Sequence, residues 1–286
     1  MPRCQRTFYG LGEGRVAAGV GSRRWVCRHC PDAETYETLR DPNLLNYAAR
    51  SFRRCAQWFG APSDAARPTV LVLGLRPECV HEPGERRYDL YLQRDTDPWQ
   101  MRLQIGHEMF HRVCSQGRIF HWTHEMLACL VSVRLLREHG LNDYAGQTER
   151  QWLAEAPRLS PAALRAVDLW ATPAYPPGFY GRAYATAAAL EAAVGWEHLR
   201  PLARFGLRDF RAGAAGGGGE APDVAAWRAR LPAPLRTRAD AVLQFDQQEP
   251  ATPGPKAPMA LLSDDDPAND KTVPAAAPPA AARPLL

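Results

Sequence analysis

Apolar residues recur at helical spacing through two long segments near the middle of the chain. Residues 101–114 form one amphipathic pattern, and residues 122–139 form a second that ends at Gly140. Ahead of them, residues 86–94 alternate between apolar and polar side chains, as a half-buried strand does. The pattern therefore predicts a strand, a helix, a turn and a second helix, in that order.

The flanking segments predict further helices and one more strand. Residues 43–60 show apolar residues at helical spacing, and Gly60 ends the pattern. The apolar run at residues 69–75 is too short for a helix, which favours a buried strand. Shorter helical patterns follow over residues 162–170, 180–195, 196–205 and 224–245, the last divided in two by its prolines. These elements predict an α+β fold with a small sheet and a mostly helical C-terminal half.

Composition divides the 286-residue chain into three parts. Residues 1–40 are rich in Gly and Cys and irregular in pattern, which predicts an arm without regular structure. Residues 41–246 carry the helix and strand patterns and form the predicted domain; within it, residues 142–161 are polar, with Trp152 and Leu153 as expected core anchors. Residues 247–286 turn to Pro, Ala and Asp, and we predict a disordered tail because so little apolar surface can be buried there.

The charge pattern argues against a nucleic-acid partner. The formal net charge is +4, and the positive residues are mostly Arg, scattered without a dense run. The amino terminus lacks the apolar core of a signal peptide, and no run of about 18 apolar residues occurs. We therefore expect a cytoplasmic protein that does not enter a membrane. The sequence does not predict its oligomeric state.

Cysteine usage favours reduced thiols. The chain has seven cysteines, an odd count without a regular framework. Cys27 and Cys30 form one CxxC pair, which is half of a zinc ribbon, and the remaining cysteines include no second close pair. We predict a loop with free thiols at this position, with a small zinc knuckle as the alternative.

The segment His107-Glu108-Met109-Phe110-His111 is an HExxH box inside the first long helical pattern. Residues four apart lie on one face of a helix, so His107 and His111 can bind one metal ion while Glu108 lies over the same site. This arrangement of a histidine pair and a glutamate is typical of zinc hydrolases.

Two histidines leave zinc short of a ligand, because catalytic sites use three protein ligands and keep a fourth position for water. The metzincin continuation is absent, since Cys114 and Gly117 stand where its Gly and third His would be. Three candidates follow closely in the chain: His121, His124 and Glu125. A glutamate on the next helix would complete a His, His, Glu set of the thermolysin type.

Two further segments, together with the HExxH box, resemble the motifs of a known superfamily. Trp122 to Ala128 is similar to the W-x-x-E-x-x-A motif of gluzincins, the group that includes thermolysin and the aminopeptidase N-like enzymes. Downstream, Tyr180-Gly181-Arg182-Ala183-Tyr184, followed by the segment 190–195, is similar to the Y-x-K-G helix of the aminopeptidase N-like group and its trailing L-E-x-x-x-G. The resemblance covers roughly residues 70–206.

The resemblance implies a zincin-like fold in which a sheet with an edge strand lies beside the HExxH helix. It implies Glu125 as the third zinc ligand and Tyr180 as the residue that stabilises the oxyanion, and it aligns Tyr175 with a further active-site tyrosine of some relatives. By the same resemblance, the strand at 88–93 would line the cleft and pair with substrate. An internal position for that strand is equally compatible with its sequence.

Several departures from the family pattern bear on specificity. The interval from His111 to Glu125 is shorter than in aminopeptidases, and Arg182 and Ala183 replace the usual Lys and Gly. No GxMEN-type segment precedes the box, so the acidic anchor that the family uses for a substrate amino terminus is not visible in the sequence. These differences favour an endopeptidase over an exopeptidase.

The expected function is therefore that of a Zn²⁺-dependent metallopeptidase acting on peptide or protein substrates. Glu108 is the predicted general base and Tyr180 the predicted oxyanion stabiliser, with His107, His111 and Glu125 as metal ligands. The alternative is an inactive or latent zinc-stabilised interaction protein with the same fold. An intact Glu108 favours the enzyme, because a scaffold has no need of a base.

Overall fold

The computed structural model describes residues 23–24, 35–74, 77–81, 87–94, 96–114, 121–167, 169, 175–205, 208–211 and 218–243. Within these residues the chain forms an α+β fold, as the sequence predicts. The CxxC pair and the predicted tail at 247–286 lie outside the described residues. No helix of the described ranges has the length and apolar character needed to cross a membrane.

The main sheet has five described strands in the order β1-β2-β3-β5-β4. They are β1 (Arg23–Arg24), β2 (Thr35–Thr38), β3 (Thr69–Gly74), β4 (Glu78–His81) and β5 (Tyr88–Gln93). β3 and β5 are parallel, and the other neighbours are antiparallel.

The sheet decides one open alternative and corrects one expectation. β5 lies between β3 and β4, so the strand at 88–93 takes the internal position and not the edge position that the resemblance implies; β4 ends the described strand order on that side. β1 and β2 fall within residues 1–40, for which the sequence predicts an irregular arm, yet β2 pairs with both β1 and β3. The sequence pattern determines neither feature, because strand order and the pairing of a short strand depend on distant segments.

The helices occur where the hydrophobic pattern predicts them, and residues 142–161 add one more. They are α1 (Pro42–Phe59), α2 (Pro98–Cys114), α3 (Trp122–Glu138), α4 (Asn142–Glu155), α5 (Pro161–Ala166), α6 (Phe179–Val194), α7 (Trp196–Leu199), α8 (Val224–Arg230) and α9 (Ala233–Leu243). Short 3₁₀ turns lie at Ala156–Arg158 and Arg200–Arg204, and a hairpin of β6 (Arg208–Arg211) and β7 (Gly218–Ala221) precedes α8.

Local signals explain where individual helices begin and end. Asp41 accepts a hydrogen bond from the Asn43 amide at 2.8 Å, and Pro42 occupies the first turn of α1, where a missing N–H costs nothing. In α4, Trp152 is buried as expected, but Leu153 is 50% exposed and anchors nothing. Two adjacent residues on a helix point in directions about 100° apart, so on this half-exposed helix Leu153 points away from the core that Trp152 faces.

The HExxH helix α2 is the centre of the domain. It packs against α1, α3 and β5, and α3 in turn packs against α6. From Gln100 to Cys114 every residue of α2 except Arg102 is buried. The helix α2 is therefore buried on more sides than its amphipathic pattern predicts. The polar side chains of α2 must form hydrogen bonds with partners inside the protein.

Arg112, which follows the second histidine of the box, is one such buried polar residue. Its guanidinium donates to the Asp64 carboxylate at 3.0 Å, to the Asp64 carbonyl at 3.0 Å and to the Arg67 carbonyl at 3.2 Å. It also stacks over the Tyr88 ring at 3.7 Å, and the Tyr88 hydroxyl donates to Asp64 at 2.5 Å. This network fixes the last turn of α2 against β5 and the turn before β3.

Gly106 brings the two central helices into close contact. A Cβ at this position would lie 3.0 Å from the Cα of Ser132 on α3, tighter than ordinary van der Waals contact. Glycine inside a helix is unfavourable by about 1 kcal/mol relative to alanine, and at this position the missing side chain permits the close contact with α3. Because His107 is the next residue, the contact sets how near the first histidine comes to α3.

We expect Gly106→Ala to lower the free energy of unfolding by about 1–2 kcal/mol, because overpacking exceeds the gain in helix propensity. Gly146 on α4 is the matched control, since a Cβ there would meet only the flexible end of Arg150 at 3.4 Å. Gly146→Ala should raise the free energy of unfolding by about 0.5–1 kcal/mol. Urea denaturation of both variants measures the difference, and equal shifts would mean that the α2–α3 contact adapts freely.

Candidate metal centre

Three predicted ligands come together between α2 and α3. The His107 Nε2 atom lies 3.2 Å from Glu125 Oε2, and His111 Nε2 lies 3.3 Å from Glu125 Oε1. The two Nε2 atoms are 3.2 Å apart. His107 is 3% exposed, and His111 and Glu125 are each 8% exposed. Within the described part of the chain, these three residues form the cluster with metal-ligand geometry.

The donor set fits a zinc ion. Tetrahedral ligand atoms bonded at 2.0–2.1 Å lie about 3.3–3.4 Å from one another. The separations between the two histidine nitrogens, and between each nitrogen and the nearer Glu125 oxygen, are close to this value. Two imidazole nitrogens and a carboxylate oxygen are also ligand types that zinc prefers. Buried lone pairs that converge without a cation would be costly, so the arrangement favours a bound metal ion or a shared proton. His107, His111 and Glu125 are thus the residues that could hold zinc.

Electrostatics keep Glu125 ionised. Burial by itself raises the pKa of this carboxyl group, but the charge and hydrogen bonds of His111 and His107 outweigh burial and lower the pKa below its usual range. The carboxylate therefore remains available as a ligand throughout the neutral pH range.

The structure also decides where the other two ligand candidates lie. The Nδ1 atom of His121 accepts from the Thr123 amide at the start of α3, and His121 is the N-cap residue of that helix. The Nε2–H group of His124 donates to the Ala203 carbonyl at 2.6 Å. Burial lowers the pKa of His121 to about 4 and that of His124 to about 3, so both rings are neutral at pH 7. Neither belongs to the metal cluster.

Glu108 and Tyr180 lie beside the three ligands. Glu108 is 5% exposed and follows His107 on α2. The Tyr180 ring lies edge-on to the His107 ring, with 5.9 Å between centroids. Burial, Tyr175 and the charges of Glu125 and Glu108 raise the pKa of Tyr180 well above its usual value. Its phenol therefore keeps its proton and can donate a hydrogen bond at neutral pH.

Two glycines position Tyr180 at the start of α6. Gly178 precedes the helix with φ of 80°, a left-handed conformation that other residues rarely adopt. A Cβ on Gly181 would lie 2.4 Å from the Trp152 carbonyl, so the first turn of α6 packs directly on the end of α4. The resemblance predicts the tyrosine, but these packing contacts explain why it lies near His107.

The neighbouring residues of the resemblance have structural contacts. Tyr175 stacks on Phe179 at 4.3 Å and meets Tyr180 edge-to-face at 5.4 Å. Arg182, which replaces the family's Lys, donates from Nε to the Leu159 carbonyl at 2.7 Å. The rings of Tyr175 and Phe179 therefore pack against Tyr180 and hold its ring in place. Arg182 fixes the turn between α4 and α5.

Sequence reasoning missed Gln104, which connects the sheet to the site. Its side chain is fully buried, and its Oε1 atom accepts from the Gln93 amide at 2.9 Å at the end of β5. Gln104 lies four residues before Glu108 and hence on the same face of α2. The sequence does place a polar amide side chain among the apolar residues of this helix. Such a group, when buried, needs a hydrogen-bond partner, and this could have singled out Gln104.

The arrangement can bind a divalent cation and holds a carboxylate and a phenol next to it. A base and a hydrogen-bond donor beside a metal are the groups that hydrolysis of a carbonyl compound requires. His107 Nδ1 is buried and lacks a hydrogen-bond partner among the described residues, so contacts with the rings of His111 and Tyr180 hold this imidazole instead.

The comparisons with known proteins found no relative. No protein-family model matches the chain, and no curated protein matches it.

Proposed function

We propose that this protein is a zinc-dependent metallopeptidase with a gluzincin-type zincin fold, and that it cleaves internal peptide bonds as an endopeptidase. The observation that carries the proposal is the convergence of His107, His111 and Glu125, with atoms 3.2–3.3 Å apart, from two helices packed side by side. The order of the motifs in the chain and the α+β arrangement around α2 support it.

His107, His111 and Glu125 would hold the zinc ion. When bound, zinc supplies a Lewis acid that lowers the pKa of water and polarises a substrate carbonyl. Glu125 brings one negative charge to the site and Glu108 a second, so the protein binds a divalent cation without a buried excess of positive charge.

Glu108 is the proposed general base. Its carboxylate would accept a proton from the water whose oxygen attacks the peptide carbonyl carbon. The same proton then passes to the amide nitrogen as the C–N bond breaks, which yields a free amine and a carboxylate. The position of Glu108 next to His107 supports this role, because the base must reach water at the metal.

Tyr180 would stabilise the oxyanion of the tetrahedral intermediate. Its raised pKa keeps the phenol protonated, and a neutral O–H group donates a hydrogen bond to developing negative charge. The edge-on contact with His107 brings the residue close to the proposed reaction centre.

The outer edge of β4 is the proposed binding site for an extended substrate. β4 pairs with β5 on one side and packs against α2, and it ends the order of described strands on its other side. An extended peptide can add to such an edge through main-chain hydrogen bonds. This assigns to β4 the role that the sequence resemblance gave to β5.

We expect Tyr180→Phe to keep zinc and to reduce kcat by about 10²–10³, the usual cost of removing one oxyanion donor. Aromatic packing against Tyr175 and Phe179 is retained, so the thermal midpoint should change little. Steady-state kinetics with zinc-loaded protein measure the effect. Tyr175→Phe is the control and should reduce kcat less than tenfold. Equal losses in the two variants would remove the oxyanion role from Tyr180.

A second candidate is a latent enzyme or a zinc-stabilised interaction protein. The observation in its favour is burial, since His107, Glu108, His111 and Glu125 are all at most 8% exposed. A peptide could reach such a site only after a local movement. This alternative predicts zinc binding without cleavage.

A peptide library analysed by mass spectrometry separates these functions. Zinc-loaded wild type should cut internal bonds, and Glu108→Gln should leave the same library intact. Loss of single residues from the amino ends would identify an aminopeptidase instead. Stoichiometric zinc without any cleavage by wild type would favour the latent or scaffolding alternative.

A further inference from the structure

His124 has no role in the proposed reaction, yet it is fully buried beside the metal cluster. Its ring lies nearly parallel to the His111 ring, with 6.1 Å between centroids and an angle of 26°. Phe110 completes the group at 5.1 Å from His124 and 5.6 Å from His111. His124 and Phe110 therefore border the ring of the candidate ligand His111.

A hydrogen bond fixes the orientation of His124 itself. Its Nε2–H group donates to the Ala203 carbonyl at 2.6 Å, so this nitrogen is not available to a metal. Ala203 belongs to the 3₁₀ turn Arg200–Arg204. The ring is thus attached to a segment 79 residues away in the chain.

The same turn forms hydrogen bonds with the C-terminal ends of α1 and α2. Arg200 donates to the Trp58 carbonyl at 2.9 Å, and Arg204 donates to the Phe59 carbonyl at 3.0 Å. Arg204 also donates to the Val113 carbonyl, two residues beyond His111. Arginines at helix C-termini satisfy carbonyl groups that have no partner within the helix. The turn consequently fixes the end of α2 and the ring of His124 at once.

We propose that His124 is a positioning residue for the zinc ligand His111. Anchored to Ala203, its ring limits rotation of the His111 imidazole, so that His111 Nε2 faces His107 and Glu125. The inference rests on the proposed function, in that these three residues must bind the metal. It assigns to His124 a role distinct from the direct ligation considered from the sequence.

Two substitutions separate the two features of His124, its flat ring and its hydrogen-bond donor. His124→Phe keeps a flat ring but removes the N–H donor, and His124→Gln keeps a donor at a similar reach but removes the ring. His139→Phe is the matched control, because His139 caps the opposite end of α3 and packs on Tyr47 at 4.5 Å.

The measurements are the zinc dissociation constant, from competition with a chromophoric chelator, and the visible spectrum of the Co²⁺-loaded full-length protein. Both His124 variants should bind zinc about 10–100-fold more weakly, the usual cost of losing a group that orients a ligand. Their Co²⁺ bands should shift in position or intensity. His139→Phe should match wild type in affinity and spectrum.

The outcomes are distinct. Wild-type affinity and an unchanged Co²⁺ spectrum in either folded His124 variant would overturn the inference. A lower melting temperature of the metal-free protein without a change in affinity would show a packing role only. If wild type binds no zinc, or if Glu125→Ala leaves its affinity unchanged, the proposed metal site fails. His124→Gln provides the test if His124→Phe does not fold.

Discussion

Glu125→Ala is expected to weaken zinc binding by more than about 100-fold and to abolish zinc-dependent activity. Loss of a residue that merely orients a ligand costs about 10–100-fold in affinity, so loss of a ligand costs more. Both carboxylate oxygens of Glu125 face the histidine pair, at 3.2 and 3.3 Å. Without the carboxylate, two neutral imidazoles would bind the cation alone. Chelator competition gives the dissociation constant.

His121→Ala serves as the control for the third ligand. His121 contacts Thr123 at the start of α3 and is not in the metal cluster, so its removal should change zinc affinity less than threefold, or about 0.6 kcal/mol. If Glu125→Ala retained full affinity while His121→Ala lost it, the assignment of the third ligand would pass to His121.

Glu108→Gln is expected to keep zinc and fold while lowering kcat by about 10²–10⁴, the usual contribution of a general base. The amide has nearly the shape of the carboxylate but cannot accept the proton of water. Because Glu108 is not one of the three clustered ligands, zinc stoichiometry should remain one per chain. Single-turnover kinetics on an internally quenched peptide isolate the chemical step.

A second glutamine substitution controls for the loss of charge. Glu138 lies on α3 and forms an exposed ion pair with Arg54, so Glu138→Gln should leave kcat within about twofold. A Glu108→Gln variant that turns over as fast as Glu138→Gln would exclude Glu108 as the base.

The sequence predicts the elements of the fold that depend on local pattern. The spacing of His107 and His111 puts both rings on one face of α2, and that spacing needs no tertiary information. Asp41, Pro42 and Gly60 mark the limits of α1 in the same way, through capping and through the backbone preferences of Pro and Gly.

Features that depend on contacts between distant segments of the chain cannot be predicted from local sequence pattern. Neither the internal position of β5 nor the pairing of β2 follows from alternation of apolar residues. Spacing along the chain leaves Glu125, His121 and His124 open as third ligand, and only the resemblance favours Glu125. The placement of α2 against α3, where Gly106 contacts Ser132, brings Glu125 and neither of the other two histidines into the cluster with His107 and His111. The bond between His124 and Ala203 spans 79 residues and leaves no local signal.

Zinc K-edge X-ray absorption of the zinc-loaded protein tests the central claim most directly. The sample carries Cys27→Ser and Cys30→Ser, so that the CxxC pair contributes no sulfur. We predict one zinc with two imidazole nitrogens and two oxygens at about 2.0–2.1 Å, and loss of half of the outer-shell imidazole scattering in His111→Ala. A sulfur shell near 2.3 Å, or imidazole scattering unchanged by His111→Ala, would contradict the proposed site.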